Sequence, residues 1–285
     1  MSNIPQLIVS GLFGGGIYGL ISVGITLIFG VLGVVNFAHG EFLMLAMYIS
    51  FWFFQLARMD PYLAAPIVVL IMFALGMLVQ RFLIRPVVEK PHKVQILVTL
   101  GLSLAMQNLA LVLWSGDYRS ARTAYTHSVL RFANVSVTVP HLVAFVTAMC
   151  ATGILYWYLQ TSYVGKSIRA TAQDIGAARL MGINVHRVYL LTFATGIALA
   201  GLAGVLLIPL YPVYPMVGWQ FINVAFVCMV LGGLGSVRGA MLGGLTVGLI
   251  EVFAGYYLGA QFQQAAYFFV FILILMLRPS GFLRR

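Results

Sequence analysis

"GVVNFAHGEF", residues 33–42, sets an asparagine and a histidine between two glycines and a glutamate directly after the second, inside an otherwise oily stretch. An acidic side chain at mid-membrane costs about 2.5–3.5 kcal/mol even on the cheaper insertion scale. The rest of the chain avoids charge: its 285 residues are 62% hydrophobic and 8% charged, with a mean hydropathy of +1.02. Soluble domains carry about a quarter charged residues, so most of this surface must meet lipid. How residues 33–42 are read decides between a plain row of spans and a bundle containing interrupted elements.

Apolar runs of about 20 residues, enough to cross a bilayer as a helix, recur at Tyr62–Val79, Val94–Trp114, Leu142–Leu159, Val188–Ile208 and between Glu251 and Arg278. The short alternating segments of a membrane barrel are not seen. The chain reads as a single all-α polytopic membrane domain over residues 1–285, with about eight or nine spans. They fall near 7–32, 42–57, 62–80, 94–115, 140–160, 188–208, 221–235, 240–258 and 264–277. Met1–Val35 reads as a first membrane segment and not as a cleavable leader, because no basic residue precedes its apolar run. Cys150 and Cys228 lie in apolar runs and read as buried reduced thiols, and no metal-ligand spacing is present.

The net charge is +10, yet the basic residues form no single patch, which points away from nucleic acid and toward membrane orientation. Arg81, Arg85, Lys90 and Lys93 lie in one connection, Lys166, Arg169, Arg179 and Arg187 in another, and Arg278, Arg284 and Arg285 at the C-terminus. Placing these with Arg238 in the cytoplasm leaves Arg58, Arg119, Arg122 and Arg131 outside, with the N-terminus external. The largest external connection spans about 116–139, and the alternation in its second part suits a short strand or an extended lid.

Within residues 33–42 two readings compete. In the first, a cytoplasmic turn joins two spans, with Asn36 capping the next helix and Glu41 near its positive end. In the second, a re-entrant break lines the translocation path or its inner gate. A candidate internal repeat bears on the choice. Val31–Leu43 aligns without gaps to "VLGGLGSVRGAML", Val230–Leu242, with identity at Val31/Val230, Leu32/Leu231, Gly33/Gly232, Gly40/Gly239 and Leu43/Leu242. Glycine-interrupted hydrophobic segments at corresponding places in two halves are a pointer to a transport site. His39 and Glu41, two residues apart, cannot readily converge on one ion from a helix. Glu251, after the small residues Gly243, Gly244 and Gly248, reads as a hydrogen-bond partner for a neighbouring helix, with a place on the pathway as the alternative.

The basic connection at about 161–187 reads as an amphipathic helix from Lys166 to Met181, with Ile168, Ala172, Ile175 and Ala178 on one face and Gly182 as its stop. It suits either a groove on another protein or the lipid head groups. "GKS" at Gly165–Ser167 imitates the end of a Walker A motif, but position 160 is Gln and the segment follows a membrane helix. The chain therefore has no phosphate cradle of its own. From these residues alone, a self-sufficient ion-coupled transporter or channel using Glu41 and Glu251 remains an alternative to a subunit driven by others.

Three stretches in order, "GVVNFAHGEF", "GKSIRATAQDIGAARLMGINVHRV" (165–188) and "VLGGLGSVRGAMLGG" (230–244), resemble the LivH-type permeases of branched-chain amino acid ABC importers. The likeness runs from Gly14 to the terminal "RPSG". It implies a multi-pass subunit of the bacterial inner membrane, without enzymatic activity, that pairs with a second homologous permease. It further implies two cytoplasmic ATPase subunits that bind the ATP, a periplasmic solute-binding protein, and no cofactor on this chain. Under the resemblance Lys166, Ile168, Arg169, Asp174, Ala178 and Gly182 belong to the ATPase coupling loop. Asn36, Phe37, His39, Gly40 and Glu41, with Gly232, Gly233, Gly235 and Glu251, belong to the path or its gate. Relatives with this pattern also serve urea, amides and other amino acids. The chain is somewhat short for the family, which implies abbreviated external connections.

Overall fold

The computed structural model describes residues 4–121, 123–126, 128–132 and 135–277. Arg122, Arg278, Arg284 and Arg285, four of the orienting charges, lie outside the described residues. The fold is all-α apart from one hairpin. Its helices are α1 (Ile4–Leu32), α2 (His39–Ala57), α3 (Pro61–Val79), α4 (His92–Trp114), α5 (Val139–Thr161), α6 (Tyr163–Gln173), α7 (Ile175–Leu180), α8 (Val185–Leu207), α9 (Val217–Gly232), α10 (Val237–Tyr257) and α11 (Gln263–Leu277). Among the described residues eight helices are long and apolar enough to cross a membrane. The expected span near 221–235 is the exception: α9 has 16 residues, short of the roughly 20 that a full crossing needs.

Helix starts follow local chemistry. Asp60 caps α3 by accepting from the Tyr62 amide at 2.9 Å, with Pro61 at the first position. Asn184 caps α8 and Ser236 caps α10 in the same manner. The helix expected over 166–181 is instead two helices. Asp174 adopts an extended conformation and its carboxylate accepts from the Ala177 amide at 2.9 Å, so it ends α6 and caps α7. A local side-chain bond has outcompeted helix continuation there. Ile168 and Ala178 are buried as expected, whereas Ala172 and Ile175 are exposed, because the kink removes the common face. Gly182, at φ +78°, ends α7, with Ile183 N–H returning to the Ala178 carbonyl.

The alternating part of the external connection forms a hairpin, β1 (Val129–Phe132) against β2 (Val135–Thr138). Gln6, near the start of α1, both donates to the Ser136 carbonyl and accepts from its amide, at 2.9 and 2.7 Å. The start of α1 therefore lies on the hairpin's side. The Tyr125 ring stacks on Tyr62 and its hydroxyl donates to Asp60 at 2.9 Å. Burial and the Asp60 carboxylate hold the Tyr125 phenol above its ordinary pKa. Cys228 is buried as expected, but Cys150 is exposed on the outer side of α5.

α1 and α8 form the centre, while α3, α4, α5 and α11 turn most of their surface outward. In lipid no hydrophobic force draws helices together, so close backbone packing must do it. Gly11, Gly15 and Gly19, spaced by one turn, bring α1 onto Gly244 and Gly248 of α10. A Cβ on Gly15 would stand 2.6 Å from the Gly244 carbonyl oxygen, well inside contact distance. Gly15→Ala is expected to destabilise the chain by about 1–3 kcal/mol, read as a lowered Tm in detergent. Gly101→Ala, where a Cβ meets nothing within 4 Å, should leave Tm unchanged or slightly raised.

Candidate functional site

Residues 33–38 form a re-entrant break, not a cytoplasmic turn. α1 ends at Leu32 and Gly33, at φ +68°, reverses the chain. The backbone then climbs back beside α1, so that the His39 ring rests against Gly24, about two turns inside the end of α1. On the other side Thr99 of α4 donates to the Val35 carbonyl at 3.1 Å. Asn36 does not cap α2; its side chain accepts from the Ala38 amide at 3.2 Å and shapes the break itself. Asn36, His39 and Glu41 are fully buried.

Glu41 sits at mid-depth, because its partners Ser103 and Gln107 lie near the middle of the 23-residue α4. Its Oε1 accepts from Gln107 Nε2 at 2.7 Å and from Ser103 Oγ at 3.2 Å. Its Oε2 has no side-chain or backbone donor and faces Gly218, in the first turn of α9. Gly40 and Gly218 are packed backbone to backbone, which no larger residue at either position permits. The starts of α2 and α9 therefore meet inside the membrane, and neither carries a side-chain cap. Glu41 places a carboxyl group at this junction of helix starts. Ser22, Thr26 and Thr192, on α1 and α8, are further buried hydroxyls without a protein partner. Phe37 projects toward α9 and its ring lies 5.3 Å from that of Phe226.

The aligned stretch 230–242 also holds a glycine-marked break between two helices, but a shorter and partly exposed one. α9 ends at Gly232, Gly233 and Gly235 take φ +99° and +84°, and α10 begins at Val237. Gly235 abuts Gly30 of α1, so the second break lies against the end of the helix that enters the first. Gly232 packs on Gly239 as Gly40 does on Gly218. A cavity of about 380 Å³ separates this second break from the basic connection: Gly30, Gly235, Ser236 and Arg238 face Ile168, Arg169 and Ala172 of α6. Arg169 donates to the Leu159 carbonyl at 3.0 Å, tying α6 to the end of α5. Arg238 stacks over the Tyr156 ring at 4.0 Å. Lys166, Asp174 and Gly182 are exposed beyond the cavity.

Glu251 is not part of the Glu41 cluster. It takes a hydrogen bond from the Tyr18 hydroxyl, the helix-to-helix bond expected of it, and lines a separate pocket of about 400 Å³ with Gln220, Gln263, Gln264 and Tyr267. The first turns of α9 lie between the two acids, with Gly218 toward Glu41 and Gln220 toward Glu251. The residues that sequence reasoning missed are mainly those of α4. Gln95, Thr99, Ser103 and Gln107 recur every four positions on an apolar helix, a polar stripe at helical spacing. Thr99, Ser103 and Gln107 of that stripe reach Val35 or Glu41, while Gln95 bonds the Val88 and Lys90 carbonyls.

Comparison with known proteins places this geometry in a family. Residues 7–278 match the family described as "Branched-chain amino acid transport system / permease component". The chain belongs to this permease family. The permease protein BraD of Pseudomonas aeruginosa is 32% identical, over 98% of this chain and 95% of its own length. LivH of Escherichia coli K12 is 33% identical over the same shares. A probable LivH from Methanocaldococcus jannaschii is 27% identical over 85% of this chain and 78% of its own length. With 95% of the bacterial relatives covered, any shortening of the external connections is slight. No solved structure matches the permease. It is a multi-pass protein of the inner membrane. A double-mutant cycle of Glu41→Ala and Gln107→Ala should give a coupling energy of about 0.6–1.7 kcal/mol, the range of interhelical hydrogen bonds in membranes, in reversible unfolding in mixed micelles. A coupling of zero would mean that α4 does not clamp Glu41.

Proposed function

We propose that the chain is the permease subunit of an ATP-driven importer for branched-chain amino acids and forms half of the translocation pathway. Its partners are a second homologous permease, two cytoplasmic ATPase subunits that bind the ATP, and a periplasmic solute-binding protein. The substrate class rests on BraD and LivH, whose names specify high-affinity branched-chain amino acid transport. The same relatives favour a driven subunit over a self-sufficient ion-coupled transporter.

One observation carries the mechanism. The cavity bounded by α6 on one side and by Gly30, Gly235 and Ser236 on the other sets α6, which we read as part of the coupling loop, beside the second break. Closure of the ATPases presses on α6–α7, a rigid pair because Asp174 caps one helix and Gly182 closes it. The push narrows the cavity and reaches the glycine contact between Gly235 and Gly30. α1 then carries it to Gly24 and His39, and thus to the first break. There Asn36, Phe37, His39, Gly40 and Glu41 form the gate, with Gly232 and Gly233 as its counterpart in α9. Glu41 is the fixed point, since α4 holds one of its oxygens while the other faces a helix start that is free to shift. The path opens on one side as it closes on the other, and Glu251 lines its outer approach.

The test uses vesicles containing the complete assembly and purified solute-binding protein. Uptake of labelled leucine should require ATP and all subunits, and the permease alone should be inert. Asp174→Ala, which loosens the cap between α6 and α7, should lower the ratio of solute moved to ATP hydrolysed by at least about tenfold, equivalent to about 1.4 kcal/mol, while hydrolysis continues. An unchanged ratio would remove α6–α7 from the coupling route. Accumulation by the permease alone would overturn the importer reading.

A further inference from the structure

The cytoplasmic end of α3 is not α-helical. Gln80–Ile84 forms a π-helical turn, closed by the Arg85 amide on the Gln80 carbonyl at 2.8 Å. Such turns are uncommon and are frequently found at functional sites. This one faces the start of α8 across a cavity of about 330 Å³, lined by Gln80, Arg81, Arg85, Asn184, His186 and Arg187. Gln80 is 2% exposed and borders the cavity, and its amide nitrogen has no partner among the described residues. Among the described residues the ion pair is Arg179 with Glu89, at 3.1 Å. Arg81, Arg85 and Arg187 have no carboxylate partner among those residues. Asn184 accepts from the Arg187 amide at 3.1 Å and opens α8, whose positive end therefore points at the same space.

Donors dominate this cavity: three guanidinium forks, a buried amide and a helix start. Guanidinium forks match phosphate oxygens in geometry as well as charge. The surroundings identify the source of the phosphate. Leu78, in the last turn of α3, and Phe82, in the π turn itself, are large apolar side chains 54% and 69% exposed. The cavity thus lies where acyl chains run along α3 and a headgroup reaches the cytoplasmic boundary. Basic pockets between spans on this side are suited to anionic headgroups. We propose that the π turn of α3 and the start of α8 form a binding site for the headgroup phosphate of an anionic phospholipid from the cytoplasmic leaflet. The lipid bridges the end of α3 to the helix that follows the basic connection, and it neutralises three arginines that have no carboxylate partner among the described residues. The site does not depend on which solute is carried or on how transport is driven.

The experiment takes the intact complex solubilised from its membrane, exchanges it into mild detergent, and counts retained lipid by native mass spectrometry after adding phosphatidylglycerol or phosphatidylcholine. Phosphatidylglycerol should be retained and phosphatidylcholine should not. The triple variant Arg81→Gln, Arg85→Gln, Arg187→Gln should weaken retention by about tenfold or more, given about 1 kcal/mol per basic residue near an anionic surface. Replacing the same three by Lys should preserve most of it, and Gln80→Leu should weaken it without altering charge. Unchanged retention in the Gln triple variant, or equal retention of phosphatidylcholine, would overturn the site. Displacement of the lipid by added inorganic phosphate would make it a soluble-anion site and overturn the lipid assignment.

Discussion

A polypeptide that stops being helical inside a bilayer has no water to satisfy its freed backbone groups, so the surrounding protein must supply every partner. The organisation of this permease around residues 33–42 follows from that constraint. The Val35 carbonyl is met by Thr99, the Glu41 carboxylate by Ser103 and Gln107, and the Ala38 amide by Asn36. α4, which otherwise turns outward, is bound to the centre by these polar contacts along one stripe. A carboxylate is tolerated there because donors come to it from one side and helix starts from the other.

The second requirement is proximity. Polar groups on different helices can meet within hydrogen-bonding distance only if the backbones approach closely, and in lipid small residues allow this. The glycines are therefore concentrated at crossings: α1 on α10, α1 on α8 at Gly24 and Gly196, α2 on α9 at Gly40 and Gly218. The result is a tight glycine-lined centre surrounded by helices with larger, outward-facing side chains. Movement of the centre is constrained to sliding at a few backbone contacts, which suits a gate better than a deformable core would.

The basic residues near the ends of α3, α6, α7 and α8 fall into two regions. Around α6 and α7, Arg169 and Arg238 are engaged with a carbonyl and an aromatic ring and border the break. At the ends of α3 and α8, Arg81, Arg85 and Arg187 surround an unpartnered amide instead. The same surplus of positive charge that orients the chain in the membrane thus serves the proposed mechanical contact in one place and the proposed lipid contact in the other. The hairpin and the second break are joined by the long, buried α1.

Much of this was present in the amino-acid order alone. Hydrophobic length determined the class and nearly all span positions, and glycine with polar residues marked both breaks, because each of these is a local property of composition against lipid. The likeness of Val31–Leu43 to Val230–Leu242 also foretold two similar helix–break–helix elements. Tertiary structure decided the depth of the first break, since whether "NFAHGE" turns in water or re-enters the membrane depends on what α1 and α4 place beside it. It decided that α9 is shorter than a full crossing, and that Asp174 splits the helix expected over 166–181 by bonding Ala177 in preference to continuing it. It also separated Glu41 from Glu251, which looked equivalent as isolated acids. Residues Ser103, Gln107 and Gly218 became visible as a site only when three helices distant in sequence were brought together, for a hydrogen bond across a membrane has no signature in the spacing of either stretch of chain that makes it.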